Sequence, residues 1–268
     1  MTVRLPMTCA ATLKNCCAAL YESDWARLLL GDSFHPGGLA LTERLGTLLH
    51  LGPSCRVLDV ASGKGTSAIH IAQRFGCEVV GVDYSARSVE EAIVASVNTG
   101  VSDRVCFKRG DAESLSCGDA EFDAVISECA YCTFPDKHTA ASEFARVLKP
   151  GGRVGLSDLT RSGPLPRELE SLLAWIACIA DAQPVGQYVA YLQSAGLTID
   201  CIELQNDALG AMVQAVHARL LGAELWVKLN QVDLPGVDFE QARRMAQAAA
   251  QAVREGQLGY ALIVGVKP

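Results

Sequence analysis

The stretch VLDVASGKGTSA (residues 57–68) reads as strand, tight turn and helix in one short segment. It follows Cys55 and Arg56, and the helical pattern continues to Phe75. Gly63 and Gly65 leave room for the backbone to approach a ligand where a side chain would collide. The helix that follows offers unpaired N–H groups and the positive end of its dipole. Asp83, 24 positions after Asp59, ends the next apolar run, CEVVGVD (77–83), and an acid there can accept both hydrogen bonds of a ribose diol.

Outward from this turn the chain alternates. A helix is expected over about 86–98, a strand in RVCFKRGD (104–111), a strand in FDAVISE (122–128), a helix over 137–150 and a strand in GGRVGLSDL (151–159). Strands alternating with helices argue a mostly parallel, doubly wound α/β sheet covered on both faces. Residues 8–30 and 39–50 read as N-terminal helices separated by GDSFHPGG (31–38). After the fifth strand, 165–180, 184–195, 207–230 and 238–255 read as helical, with strands at 196–205 and 257–268. The organisation expected is a helical cap (1–50), a cofactor-binding core (51–160), and a helical insertion followed by the last two strands of the same seven-stranded sheet (161–268).

A G-x-G-x-x-G dinucleotide fingerprint is absent. The ordered set is D-x-A-x-G-x-G, then GVDYS (81–85), RGDAESL (109–115) and RVLKPGGRVGLSD (146–158). That set, over about residues 35–160, resembles the class I S-adenosylmethionine-dependent methyltransferases, whose Rossmann-like sheet matches the alternation above. The resemblance implies S-adenosyl-L-methionine as cofactor. It implies that Asp59, Ala61, Ser62, Gly63 and Gly65 cradle the methionine end, that Asp83 beside Tyr84 holds the ribose, and that Asp111 and Ala112 border the adenine. Glu128 is counted with these contacts. Ala61 stands where the family usually has glycine. His35 of HPGG (35–38) contacts or closes over the cofactor, or simply sits in a tight turn.

Eleven cysteines in 268 residues is a high and odd count, without the spacing of a secreted disulfide framework. Cys55, Cys77, Cys106 and Cys201, at or near strand edges, fit small core hydrophobes. Cys16, Cys17, Cys129, Cys132 and Cys178 fit that role less well. The stretch VISECAYCTFPDK (125–137) resembles the segment of arsenite S-adenosylmethionine methyltransferases in which a cysteine leaves strand four and P-D-K follows. CIADA (178–182) is similar to that family's second cysteine segment, and LKNCC (13–17) to its N-terminal one. The resemblance implies Cys129 and Cys178 as the thiols nearest the methyl group, with Cys16 or Cys17 as the third metalloid ligand. Glu128 replaces the asparagine expected there. Cys132 is an extra ligand, a redox partner for Cys129, or a bystander. Thiolates are soft ligands for thiophilic centres. A sulfur-held trivalent arsenic keeps its lone pair and carries no proton, so no base is needed and no His–carboxylate dyad is expected.

The substrate expected is arsenite or methylarsenite, with antimony, selenium, tellurium and mercury as further thiophilic centres, and with glutathione or thioredoxin as thiol reductant. One alternative is methylation of carbon, oxygen or nitrogen in a small organic molecule, with Glu128 or Tyr131 as base. Another is a non-catalytic thiol-rich metalloid-binding protein. The five histidines are scattered without a zinc pattern, and Trp175 is expected in the core. A net charge of −7 without a Lys/Arg cluster argues against a nucleic-acid partner. No apolar run reaches the length of a membrane span and the N-terminus lacks a clean signal-peptide core, so a cytoplasmic protein is expected. The long C-terminal helices could cover the sheet or form a dimer interface.

Overall fold

The computed structural model describes residues 14, 15, 18, 35–169, 178–228 and 238–268, and the statements below concern those residues. Strands β1 (Arg56–Val60), β2 (Glu78–Asp83), β3 (Val105–Arg109), β4 (Phe122–Glu128), β5 (Leu148–Arg161), β6 (Thr198–Leu204) and β7 (Leu258–Val266) form one sheet. Its order is β3-β2-β1-β4-β5-β7-β6. The first five strands run parallel, and β7 lies antiparallel between β5 and β6. The mostly parallel seven-stranded sheet expected from the alternation is therefore present.

Helices α1 (Gly38–Leu48), α2 (Thr66–Phe75) and α3 (Ala86–Asn98) pack on one face. Helices α4 (Lys137–Val147), α5 (Val185–Ser194) and α7 (Phe239–Arg254) pack on the other, and α6 (Asn206–Lys228) runs alongside α7. The central strands read as unbroken apolar runs because both faces are covered. Successive residues serve opposite cores: Leu58 and Val60 join Phe144, Tyr188 and Ala252, whereas Val57 joins Leu45, Ile69 and Val89. Each such aliphatic side chain, fully buried, contributes roughly 1.5–3 kcal/mol.

The strand order reverses between β1 and β4, and the crevice beyond their carboxyl ends is where ligands of such sheets bind. Local capping fixes the loops there. Ser85 Oγ accepts the Ser88 N–H at the start of α3 (2.9 Å), and Asp136 Oδ1 accepts the Thr139 N–H at the start of α4 (3.0 Å).

Several boundaries differ from expectation. The helix expected over 137–150 stops at Val147, and Leu148 is already extended at the start of β5. Pro150 disfavours helix in Lys149 before it, and Lys267 ties the segment to the end of β7 by donating to the Leu148 carbonyl. Of the helix expected over 165–180, Arg167–Leu169 is a single 3₁₀ turn and Cys178 to Ala180 lie in a turn; residues 170–177, with Trp175, lie outside the described residues. Most of the helix expected over 8–30 also lies outside them, though Lys14, Asn15 and Ala18 are helical. Cys77 is buried as expected, but Cys106 is exposed because β3 is the sheet edge and its alternate residues face outward. No helix among the described residues is long and apolar enough to cross a membrane.

Candidate active site

A cleft partly open to solvent lies at the carboxyl ends of β1, β2 and β4. Ala61, Gly63, Asp83, Tyr84, Asp111, Ala112, Glu128 and Cys129 line it, so most of the sequence-derived cofactor residues meet in one place. Asp59, Ser62 and Gly65 do not line it and stand behind its wall.

The turn after β1 explains its own sequence. Ala61, Gly63 and Gly65 all have left-handed φ angles, +63°, +53° and +78°. Ala61 and Ser62 N–H both donate to the Val82 carbonyl, at 2.8 and 3.1 Å, which folds the turn back onto β2. A family preference for glycine at position 61 follows from that φ, and alanine holds it at a cost of roughly 1–2 kcal/mol. A Cβ on Gly65 would meet Phe107 Cζ at 2.4 Å, whereas one on Gly63 would meet nothing within 4 Å. Gly65 is therefore required by packing and Gly63 by the cleft. Asp83 organises the turn from the next strand: Oδ2 accepts the Gly63 N–H and Oδ1 the Ser85 N–H, each at 2.8 Å.

Two buried carboxylate oxygens at this end, Asp59 Oδ2 and Glu128 Oε1, have no hydrogen-bond partner. Burial, then the nearby Glu128 and Asp83 carboxylates, push the Asp59 carboxyl well above the ordinary range. Of the two only Glu128 lines the cleft, so a ligand cation there meets Glu128 Oε1 directly, with Asp59 behind it, and the ammonium of a methionine moiety has that chemistry. At the other end Lys14 Nζ donates to both Asp111 oxygens at 2.8 Å and to Glu113 Oε2 at 2.7 Å. The N-terminal segment thus reaches the cleft wall. Sequence reasoning missed Lys14, although it lies within LKNCC, because its partner Asp111 is 97 residues away.

The thiols come together at the exit of β4. Cys129 has φ +52°, its N–H donates to the Ser157 carbonyl at 2.6 Å, and it lines the cleft. Cys178, 49 positions later, also has a left-handed φ (+66°), and its Sγ–H donates to the Cys129 carbonyl at 3.1 Å. Two non-glycine residues held in this strained region by their surroundings mark the spot as a candidate for function. Cys178 is only 1 % exposed and does not line the cleft. Cys132, in the 3₁₀ turn Tyr131–Thr133, is fully buried, and its N–H donates to Asp158 Oδ2 at 2.9 Å. The Cys178 thiol, then burial, push the Cys129 thiol up; burial, then the Cys178 thiol, do the same to Cys132. Burial raises the Asp158 carboxyl beneath them to about 7. Cys129 and Cys132 are therefore protonated at neutral pH. Among the described residues no three His, Cys, Asp or Glu side chains form a preassembled metal-ion site, and no cysteine is in a disulfide. Cys16 and Cys17 lie outside the described residues.

Two expectations are corrected. A His–carboxylate pair is present: His35 Nε2 lies 3.7 Å from Glu128 Oε2, which also accepts the Thr42 hydroxyl at 3.0 Å, and both His35 and Glu128 line the cleft. The HPGG turn brings it there, with the Gly38 N–H on the His35 carbonyl. Tyr131 is unsuited as a base: it is fully buried, its hydroxyl donates to the Lys137 carbonyl at 2.6 Å, and burial raises its pKa.

Residues 57–152 match the family model described as "Methyltransferase domain". The chain is 34% identical over 233 residues to the 27-O-demethylrifamycin SV methyltransferase of Amycolatopsis mediterranei, covering 85% of this chain and 83% of that protein. It is 32% identical over 149 residues to the arsenite methyltransferase of Halobacterium salinarum, covering 54% of this chain and 38% of that one. Its fold matches geranyl diphosphate C-methyltransferase of Streptomyces coelicolor, solved with Mg²⁺, geranyl diphosphate and S-adenosyl-L-homocysteine. The TM-score is 0.75 at 17% identity, over 98% of this chain and 100% of that one.

Proposed function

This chain belongs to the class I S-adenosylmethionine-dependent methyltransferases, and from that premise we propose that it transfers the methyl group to a trivalent metalloid held by its own thiols. The cofactor is S-adenosylmethionine, and the non-catalytic alternative drops out with family membership. The observation that carries the finer reading is the meeting of Cys129 and Cys178: segments 49 residues apart join at the cleft that holds the cofactor residues.

On this reading Glu128 receives the methionine ammonium with the Asp59 carboxyl behind it, Asp83 the ribose, and Asp111 with Ala112 the adenine edge. When bound, the cofactor supplies a methyl group on a sulfonium, which departs as an uncharged thioether. Cys129 and Cys178 take up arsenite by exchange: each As–O bond breaks, an As–S bond forms, and the thiol proton leaves with hydroxide as water. No charge is created, so a thiol with a raised pKa, as at Cys129, suits this exchange. The arsenic lone pair is the nucleophile and carries no proton. Methylation takes arsenic from the +3 to the +5 state, and two thiols of the reductant, glutathione or thioredoxin, restore it by forming a disulfide. The chain's contribution is orientation, worth roughly 7–11 kcal/mol in well-aligned systems. Partial similarity to an arsenite methyltransferase supports this reading.

A second reading, methylation of a small organic molecule, is favoured by the His35–Glu128 pair in the cleft and the burial of Cys178. There His35 takes the acceptor's proton, and serine replacements at the cysteines leave activity intact. The deciding experiment incubates the protein with S-adenosylmethionine, glutathione and a panel of thiophilic oxyanions, and identifies methylated products by mass spectrometry. Methylated arsenicals support the first reading. Consumption of S-adenosylmethionine only with phenolic or hydroxylated organic acceptors supports the second.

A further inference from the structure

The two cysteine segments are joined at a second point, away from the cleft. Lys137, the first residue of α4, is 6 % exposed, and a lysine that buried requires partners for its three donors. Its Nζ donates to Asp181 Oδ2 at 2.5 Å and to the Phe134 carbonyl at 3.0 Å. Asp181 lies three residues after Cys178, and Lys137 eight after Cys129. Each partner is itself fixed. The Lys137 carbonyl accepts the Tyr131 hydroxyl, and Tyr131 packs edge-on against Phe134 and Tyr188. The Asp181 carbonyl and Oδ1 accept the Gln183 amide at 2.9 and 3.2 Å, and the Gln183 N–H donates to the Tyr188 hydroxyl at 3.1 Å. The thiol of Cys178 meets the β4 exit through hydrogen bonds of sulfur, which are weak ones.

We propose that the Lys137–Asp181 pair is the clasp that holds the Cys178 segment against the β4 exit, which makes Lys137 a positioning residue for the two thiols. Lys137 does not itself line the cofactor cleft, although Phe134, whose carbonyl it holds, does. This deepens the metalloid reading and rests on it for its consequence in catalysis, but the clasp itself is measurable without any metalloid.

The test is alkylation of Cys178 by N-ethylmaleimide in the full-length protein with S-adenosylhomocysteine present, read by peptide mass spectrometry. Wild type is compared with Lys137→Met and with the double variant Lys137→Met/Asp181→Leu, which leaves no unpaired buried charge and so guards against simple misfolding. Cys77, fully buried on the opposite face of the sheet, reports global unfolding. Opening of the segment speeds Cys178 labelling at least about tenfold in both variants while Cys77 stays protected. S-adenosylhomocysteine affinity stays within about twofold of wild type, and affinity for phenylarsine oxide, an arsenical with two exchangeable positions, falls about tenfold or more. Cys178 labelled at the wild-type rate in both variants overturns the clasp. If wild type fails to take phenylarsine oxide across Cys129 and Cys178, the metalloid reading falls, and the alkylation rates still decide the clasp.

Discussion

Gly63 and Gly65 share a left-handed backbone and differ in what surrounds the missing Cβ, so alanine at each separates packing from ligand space. In Gly65→Ala the new methyl lies 2.4 Å from Phe107 Cζ and 3.0 Å from Ala92 Cβ. The φ of +78° adds roughly 1–2 kcal/mol of backbone strain and the clash about 1–3 kcal/mol. The sum, roughly 2–5 kcal/mol, lowers the melting temperature by on the order of 10 °C at roughly 2–4 °C per kcal/mol for a chain of this size. Gly63→Ala carries the strain alone, roughly 1–2 kcal/mol, and melts roughly 5 °C below wild type. Its methyl points into the cleft, so S-adenosylhomocysteine affinity falls at least about tenfold, or ~1.4 kcal/mol. Differential scanning calorimetry and isothermal titration on both variants provide the assay. Equal melting temperatures, or wild-type affinity in Gly63→Ala, refute the assignment of one glycine to packing and the other to the ligand.

Other predictions follow from the charges. A cation bound at Glu128 offsets the charge that, after burial, raises Asp59, and favours its ionised form, so cofactor binding releases protons and tightens as pH rises through the elevated Asp59 pKa; titrations in buffers of different ionisation enthalpy measure this, and pH-independent affinity without proton release counts against it. Asp158 titrates at about 7 against 3.8 for an ordinary aspartate, so its stabilising contribution is complete below about 3.8 and lost as pH rises through 7. A carboxyl NMR titration with its midpoint near 4 contradicts the burial argument. Arg146 bonds Glu143, Asp119 and the carbonyls of Leu115 and Cys117, so Arg146→Ala loosens the loop before β4. With 31 % of that side chain exposed, the expected loss is about 1–3 kcal/mol by urea unfolding.

The sheet was legible because both its faces are covered: β1, β2 and β4 stand out as apolar runs, and FDAVISE coincides with β4 residue for residue. The glycine turn was legible because left-handed φ and close approach leave few choices of residue. What escaped prediction depends on contacts distant in sequence. The helix over 137–150 ended early because Leu148 was recruited by β4 and by the end of β7, which no local periodicity reports. The His35–Glu128 pair joins residues 93 apart, and HPGG, readable as a turn or a cofactor contact, does not name Glu128 as the partner. Lys14 and Lys137 fall inside the quoted LKNCC and P-D-K stretches, but their partners Asp111 and Asp181 lie 97 and 44 residues away. The thiols were found through a family resemblance, and their burial order, Cys129 facing the cleft and Cys178 behind it, belongs to tertiary structure.

Arsenite turnover by Cys129→Ser and Cys178→Ser, measured on samples whose S-adenosylhomocysteine affinity is determined in parallel, tests the central claim most directly. The account predicts that each variant binds the nucleotide like wild type and forms no methylated arsenical. Undiminished methylation of arsenite by either variant contradicts it and leaves the acceptor to an organic molecule beside His35.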